Sequence, residues 1–176
     1  MAGINKVIGI DKTINVTPTV SASSAYTAGD QVGGIQTLSN VYPDFQRGVT
    51  GVNVDGWTKY PGHVILQSLT IIDAAEQESS YDLFFFNELP TVASSDNAAL
   101  DIADTEISKC IGHYNFTTTY GSSGNFSVGS VANINLMLPQ AADFSTPNLY
   151  VVVSTPDTPT FAATSDLTFK YSFFVD

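Results

Sequence analysis

Cys110 and His113 are side chains whose types could combine into a nucleophile and its base, or into part of a metal site. They sit three apart in Cys110-Ile111-Gly112-His113, within a stretch of extended character. Side chains of a strand alternate between faces, so this spacing predicts that the two point apart and pack as ordinary residues. The other histidine, His63, follows Tyr60-Pro61-Gly62 and has no comparable neighbour in sequence. Asp96, Asp101, Asp104 and Glu106 gather acidic charge that could collect a hard cation. Calcium takes roughly six to eight oxygens from an ordered loop. The spacing here lacks the Asp/Asn/Gly order of such a loop, so a solvated acidic turn is the expectation and a bound cation the alternative. Asp82 and Glu88 flank a phenylalanine run and read as strand-end charges that resist edge pairing, not as an acid/base pair.

The segment Tyr26-Thr27-Ala28-Gly29-Asp30-Gln31-Val32-Gly33-Gly34-Ile35 could be taken for a phosphate-cradling loop. That chemistry needs a helix to follow, and residues 36–42 are extended in character. The expectation is a β-corner: Gly29-Asp30 as a tight reversal, Gly33-Gly34 as a bulge or crowded contact. Trp57 and Tyr60 lie in Val54-Asp55-Gly56-Trp57-Thr58-Lys59-Tyr60-Pro61. Such a loop suits either stacking on a sugar ring or anchoring a subunit contact, and the second reading is preferred. No nucleophile, base and orienting group assemble from these residues, so no catalytic residue, cofactor or metal is expected and the chain is not expected to be an enzyme.

The elements that would carry these residues are strands. About eight extended segments fall at 13–20, 34–42, 63–73, 80–88, 110–120, 126–138, 148–154 and 166–175, rich in Val, Ile, Thr, Tyr and Phe and bounded by Gly- and Pro-containing turns. In 13–20, Ile14, Val16, Pro18 and Val20 alternate with polar residues, and Pro18 marks an edge strand. In 131–138, Ile134, Leu136 and Leu138 share one face, with Met137 on the polar side. One short helix is predicted within Asn97–Lys109, with Asp96 as its cap. The fold class is therefore all-β: a two-sheet antiparallel sandwich, with a jelly roll the leading topology and an immunoglobulin-like sandwich the second. Residues 1–12 read as an extended N-terminal arm and 13–176 as a single domain.

Composition narrows the partners. Six basic against seventeen acidic residues give a formal net charge of -11, which argues against direct nucleic-acid binding. One cysteine excludes an intrachain disulfide framework. The opening residues lack a signal-peptide pattern, and no apolar run nears the roughly 20 residues that cross a bilayer, so synthesis in the cytosol and no membrane partner are expected. The sequons at Asn15, Asn115 and Asn125 are then chance matches. Leu83-Phe84-Phe85-Phe86, 149–153 and 171–175 are apolar on both faces, so both faces need cover. A loop, the short helix or another subunit could supply the second cover, and a subunit is the preferred one.

Pro18-Thr19-Val20 leading into Ser24 to Gly34, Leu66-Gln67-Ser68-Leu69-Thr70-Ile71-Ile72-Asp73, Asp82-Leu83-Phe84-Phe85-Phe86, Leu89-Pro90-Thr91, Ser95-Asp96-Asn97-Ala98-Ala99, Ile111-Gly112 and Leu149-Tyr150-Val151-Val152-Val153 together resemble small virion proteins of tailed bacteriophages. The resemblance covers most of the chain as an order of short motifs. It implies a head decoration, or cement, protein: a β-sandwich, commonly a homotrimer, seated on the outer head surface of the virion where major capsid protein subunits meet. No functional residue transfers with it. Under this expectation Ile4, Val7 and Ile8 are arm contacts, and Phe84, Phe86, Tyr150 and Phe174 are candidates for buried sheet or trimer surface. The alternative is a carbohydrate-binding or structural module of a tail fibre or baseplate, with Trp57 and Tyr60 on the glycan.

Overall fold

The computed structural model describes residues 10–42, 63–140 and 146–175. Ten strands lie among them: β1 Ile10–Val16, β2 Asp30–Gln31, β3 Gln36–Leu38, β4 His63–Asp73, β5 Tyr81–Phe86, β6 Cys110–Phe116, β7 Gly121–Ser122, β8 Ser127–Pro139, β9 Leu149–Thr155 and β10 Leu167–Val175. The only helix among the described residues is α1, Asp104–Ile107. Two antiparallel sheets form a sandwich. The first runs β1-β10-β4-β8-β7, and the second β2-β9-β5-β6 with β3 also on β9. β3 and β2 occupy the same edge of β9, beside Leu149–Val151 and Ser154–Thr155 respectively. At the sides of the sandwich β6 lies against β8 and β3 against β1.

Alternation explains the core. In β10, Leu167, Phe169, Tyr171, Phe173 and Val175 are buried, while Thr168, Lys170, Ser172 and Phe174 face outward and stay partly accessible. The inward aromatics stack along the strand: Phe169 on Tyr171 at 6.1 Å and Tyr171 on Phe173 at 6.4 Å between centroids. Tyr81 meets Phe169 edge-on at 5.6 Å. The Tyr171 hydroxyl donates to Gln36 Oε1 at 2.7 Å, which gives the deepest polar tip in the stack a partner. Burial pushes both the Tyr81 and Tyr171 hydroxyls far above the ordinary phenol range.

β1 is the edge strand, as Pro18 predicts, but it begins at Ile10 and ends at Val16 before the proline. The helix is a single short turn, and Ala103 rather than Asp96 precedes it, without a side-chain cap. β8 departs most from simple alternation. Leu66 pairs with Leu136 and Ser68 with Ala132, so one β4 residue faces the three residues Asn133, Ile134 and Asn135. Asn133 and Asn135 adopt φ of 60° and 56°, a region asparagine tolerates better than most residues. The outward bulge lets Ile134 and Leu136 both pack toward the core. It also interrupts the open edge of β8, which discourages sheet-to-sheet pairing.

At the end of β4, Asp73 is fully buried and accepts the backbone N–H groups of Ala75, Gln77 and Glu78 at 2.7–2.9 Å, closing the turn into β5. Desolvation raises its carboxyl above the usual carboxylate range, and the three amide donors only partly oppose that rise.

Candidate interaction surface

The outer face of the second sheet shows how the doubly apolar strands are covered. Val151 and Val153 point into the core, so Val152 must point out, yet its exposure is 0%. Phe85 likewise belongs to the core, and Phe86, on the other side, is also 0% exposed. The cover lies within the chain. β5 ends at Phe86 beside Tyr150, and the 87–109 connection then runs to the far side of β9, where Asn97 N–H donates to Gln31 O and Leu100 N–H to Gly29 O. It returns to Cys110 beside Phe86. A bridge between Val92 and Ile102 holds its two limbs together. To reach β2 from β5 it has to cross β9, and Val152 is the outward residue in its path. For Phe86 and Val152, therefore, the second cover lies within the chain rather than on a neighbouring subunit, and the 87–109 strap passes on that side of the sheet.

Asp96 fastens this strap. Its carboxylate accepts the Tyr26 hydroxyl at 2.7 Å, the Ser21 hydroxyl at 2.6 Å and the Gly33 N–H at 2.6 Å. Burial first, and the bond to Asp96 second, push the Tyr26 phenol well above its ordinary range. A residue expected to cap a helix instead joins the strap to the glycine corner, because the chain needs an acceptor where three donors converge. Removing it leaves those donors without their partner, at about 1 kcal/mol or more each. Asp96→Ala is expected to cost roughly 3 kcal/mol in urea unfolding, and Asp96→Asn less, because the amide oxygen still accepts.

The acidic residues of the strap do not converge. Glu106 accepts Thr91 N–H at 2.8 Å and pairs with Lys109 at 3.0 Å, and these contacts hold its carboxyl below the usual range, the backbone bond foremost. Among the described residues no group of three His, Cys, Asp or Glu side chains is placed to hold a metal ion.

Cys110 and His113 are less separated than strict alternation predicts. A bulge between Phe85 and Phe86 sets Cys110 opposite Phe86 and His113 opposite Phe84, so the extra residue brings both to the same side in register. Each is nevertheless engaged elsewhere. The thiol donates to Gly112 O at 3.2 Å. His113 Nε2 lies 3.1 Å from Asp82 Oδ1; a carboxylate oxygen can only accept, so the imidazole donates. Asn115 Nδ2 donates to the same oxygen at 2.9 Å, and the imidazole lies over Phe84 at 4.9 Å between centroids. Asp82 thus sits within β5, braced by two β6 side chains, rather than at a free strand end. At 48% and 27% exposure the His113–Asp82 contact is a surface feature worth under about 1 kcal/mol.

Of the residues singled out from sequence, Phe84, Tyr150 and Phe174 are half-buried on outer sheet faces, and Phe86 is fully buried. Phe174 lies in a row with Ile65 and Met137 across β10, β4 and β8, and Met137 is 60% exposed. Alternation placed Met137 on the polar side; nothing in the local sequence signalled its alignment with Ile65 and Phe174, which depends on strand order. Ile4, Val7, Ile8, Trp57 and Tyr60 lie outside the described residues. No described helix is long and apolar enough to cross a membrane.

Charge is distributed unevenly. On the outer face of the first sheet the described Asp, Glu, Lys and Arg residues are Asp11 and Lys170 alone. The other described carboxylates sit on the second sheet, on the strap and in the turns around residues 73–78 and 157–166.

No family model matches this chain, and no curated protein matches it. Eight chains of solved structures do match. One, "Structure of Turnip Yellow Mosaic Virus at 100 K", is 14% identical, with 96% of this chain and 92% of that chain covered and a TM-score of 0.27.

Proposed function

We propose that this chain is a structural protein of a tailed-phage virion, a head decoration protein that bridges major capsid subunits and acts through surfaces without catalysis. The observation that carries the reading is the strand order. With β2 and β3 taken as one interrupted strand, 1-10-4-8 facing 3-9-5-6 fits the reading of the sandwich as an eight-stranded jelly roll, an architecture used by viral capsid and lectin domains. The step from that order to a virion role is an analogy of architecture, joined to the resemblance of the short motifs. Charge supports it: one outer sheet face is nearly free of charge while the acidic groups lie elsewhere, so the molecule can cover that side with a protein neighbour, a further copy included, and turn its acidic sides to solvent. Its partners on this reading are the major capsid protein and further copies of itself, a homotrimer by the resemblance.

The mechanism is additive burial. Apolar surface removed from water contributes about 25 cal/mol per Å² before association costs, so many modest contacts per particle raise the barrier to shell rupture. Purified protein added to parent-phage heads lacking it is expected to co-sediment with them and to raise their thermal rupture temperature. Label found at the tail tip, or glycan-array binding lost on Trp57→Ala with assembly intact, would replace this reading with the tail-fibre or baseplate module.

A further inference from the structure

The outer face of the first sheet carries a banded pattern that becomes visible only when the register of all its strands is combined. Reading across β1, β10, β4 and β8, one row is Asp11, Phe174, Ile65 and Met137. The next two are Thr13, Ser172, Ser68 and Ala132, then Asn15, Lys170, Thr70 and Ser130. The last is Thr17, Thr168, Ile72 and Val128. Along β4 (Ile65, Ser68, Thr70, Ile72) and β8 (Met137, Ala132, Ser130, Val128) the order is apolar, small, small, apolar, so on these two strands the pattern reads the same from either end, while β1 and β10 add Asp11, Asn15 and Lys170 beside it.

We propose that this face is a self-association surface whose occupant is the same face of a second copy. A twofold axis lying in the contact plane, perpendicular to the strands and midway between the two small-polar rows, exchanges the outer rows. It sets Ile65 and Met137 of one copy against Ile72 and Val128 of the other, Phe174 against Thr168, and the central rows of small and polar side chains, Lys170 among them, against each other. An isologous contact requires such self-complementarity. Sheet faces pack in this way at about 10 Å with interleaved side chains.

Two further features favour this occupant. The hydroxyls are already paired sideways, Thr13 with Ser172 at 3.2 Å, Thr17 with Thr168 at 2.9 Å and Thr70 with Ser130 at 2.8 Å, so the face gives up fewer bonds to water on being covered. Charge sets the orientation. In a chain of net charge -11, this is the sheet face where Asp11 is offset by Lys170, with His63 at its rim, so two copies joined here keep their acidic sides apart. The contact makes pairs, and it stands whether or not the protein decorates a head.

Sedimentation equilibrium of the full chain up to about 100 µM tests it. The expected result is a monomer–dimer equilibrium that tightens with salt, because screening weakens the repulsion between two anionic molecules. Ala132→Asp, at an exposed site near the axis, places like charges opposite the partner's central rows and is expected to weaken pairing at least about tenfold with an unchanged melting temperature. Met137→Ser is expected to weaken it less. A protein that is monomeric throughout overturns the proposal, as does any oligomer, trimer included, whose formation Ala132→Asp leaves unchanged. Gly34→Ala, at an open position away from this face, is the control and should pair like the parent. Failure of head binding with intact pairing would instead count against the decoration role alone.

Discussion

Gly33→Ala is expected to lower the unfolding free energy by about 3 kcal/mol, a large loss for a single methyl group. Two independent costs combine. Gly33 has φ of +70°, where a Cβ crowds the backbone by roughly 1 kcal/mol or more. The added Cβ would also lie 2.5 Å from the Cβ of Pro18, far inside contact distance. Pro18 is buried and its ring holds φ, so it cannot swing aside as a long side chain could. Because Gly33 N–H also donates to Asp96, a shift that relieves the clash pulls on the strap. The neighbouring glycines separate the costs. Gly29 has φ of +92° and open space around its Cβ position, so Gly29→Ala should cost only about 1 kcal/mol. Gly34 has neither constraint, and Gly34→Ala should fall within about 0.5 kcal/mol of the parent. Denaturant midpoints of the three variants give the ranking; equal losses at Gly33 and Gly34 would refute the crowded-corner account.

Phe169→Ala should cost about 4 kcal/mol, a drop of roughly 10 °C in melting temperature for a domain of this size. Its ring is fully buried, packed edge-on against Tyr81 from the opposite sheet and stacked on Tyr171. Truncation therefore opens a cavity between the sheets that rigid strands fill poorly, and the lost transfer free energy and the cavity cost add. Phe174→Ala on the same strand is the informative contrast. Phe174 faces outward and is half-buried, so the monomer should lose only about 1 kcal/mol. Calorimetry at a concentration where the protein is monomeric separates the two. A similar loss at both positions would mean that the alternation of β10 is misassigned.

Both expectations depend on features that differ in how far they can be read from residue order. The strand segments were legible: 63–73, 80–88, 126–138, 148–154 and 166–175 each match an observed strand to within a few residues, because turn chemistry and β-branched or aromatic composition act locally. The corner was legible for the same reason. Gly29 and Gly33 take the positive φ that glycine permits, and Gly33 makes the crowded contact expected of that pair. The Asp96 cap was misread, since an acidic residue before a polar, alanine-containing stretch has the local pattern of a helix start while its actual partners lie on Ser21, Tyr26 and Gly33. The bulges in β6 and β8 were also invisible. Alternation fits Ile134, Leu136 and Leu138 whether or not Asn133–Asn135 swings out, and only pairing with β4 reveals the extra residues.

Residue order by itself determined an all-β, acidic, lightly charged molecule, its strand segments and its corner, because propensity, periodicity and net charge depend on neighbours in the chain or on simple sums. Tertiary structure alone decided that β10 lies between β1 and β4, that residues 87–109 cross from β5 to the β2 side of β9, and that Phe174, Ile65 and Met137 fall in line. Those outcomes depend on which strands meet and in what register. Pairing energies between distant segments set both, and side chains that become neighbours only on folding leave no mark in local sequence.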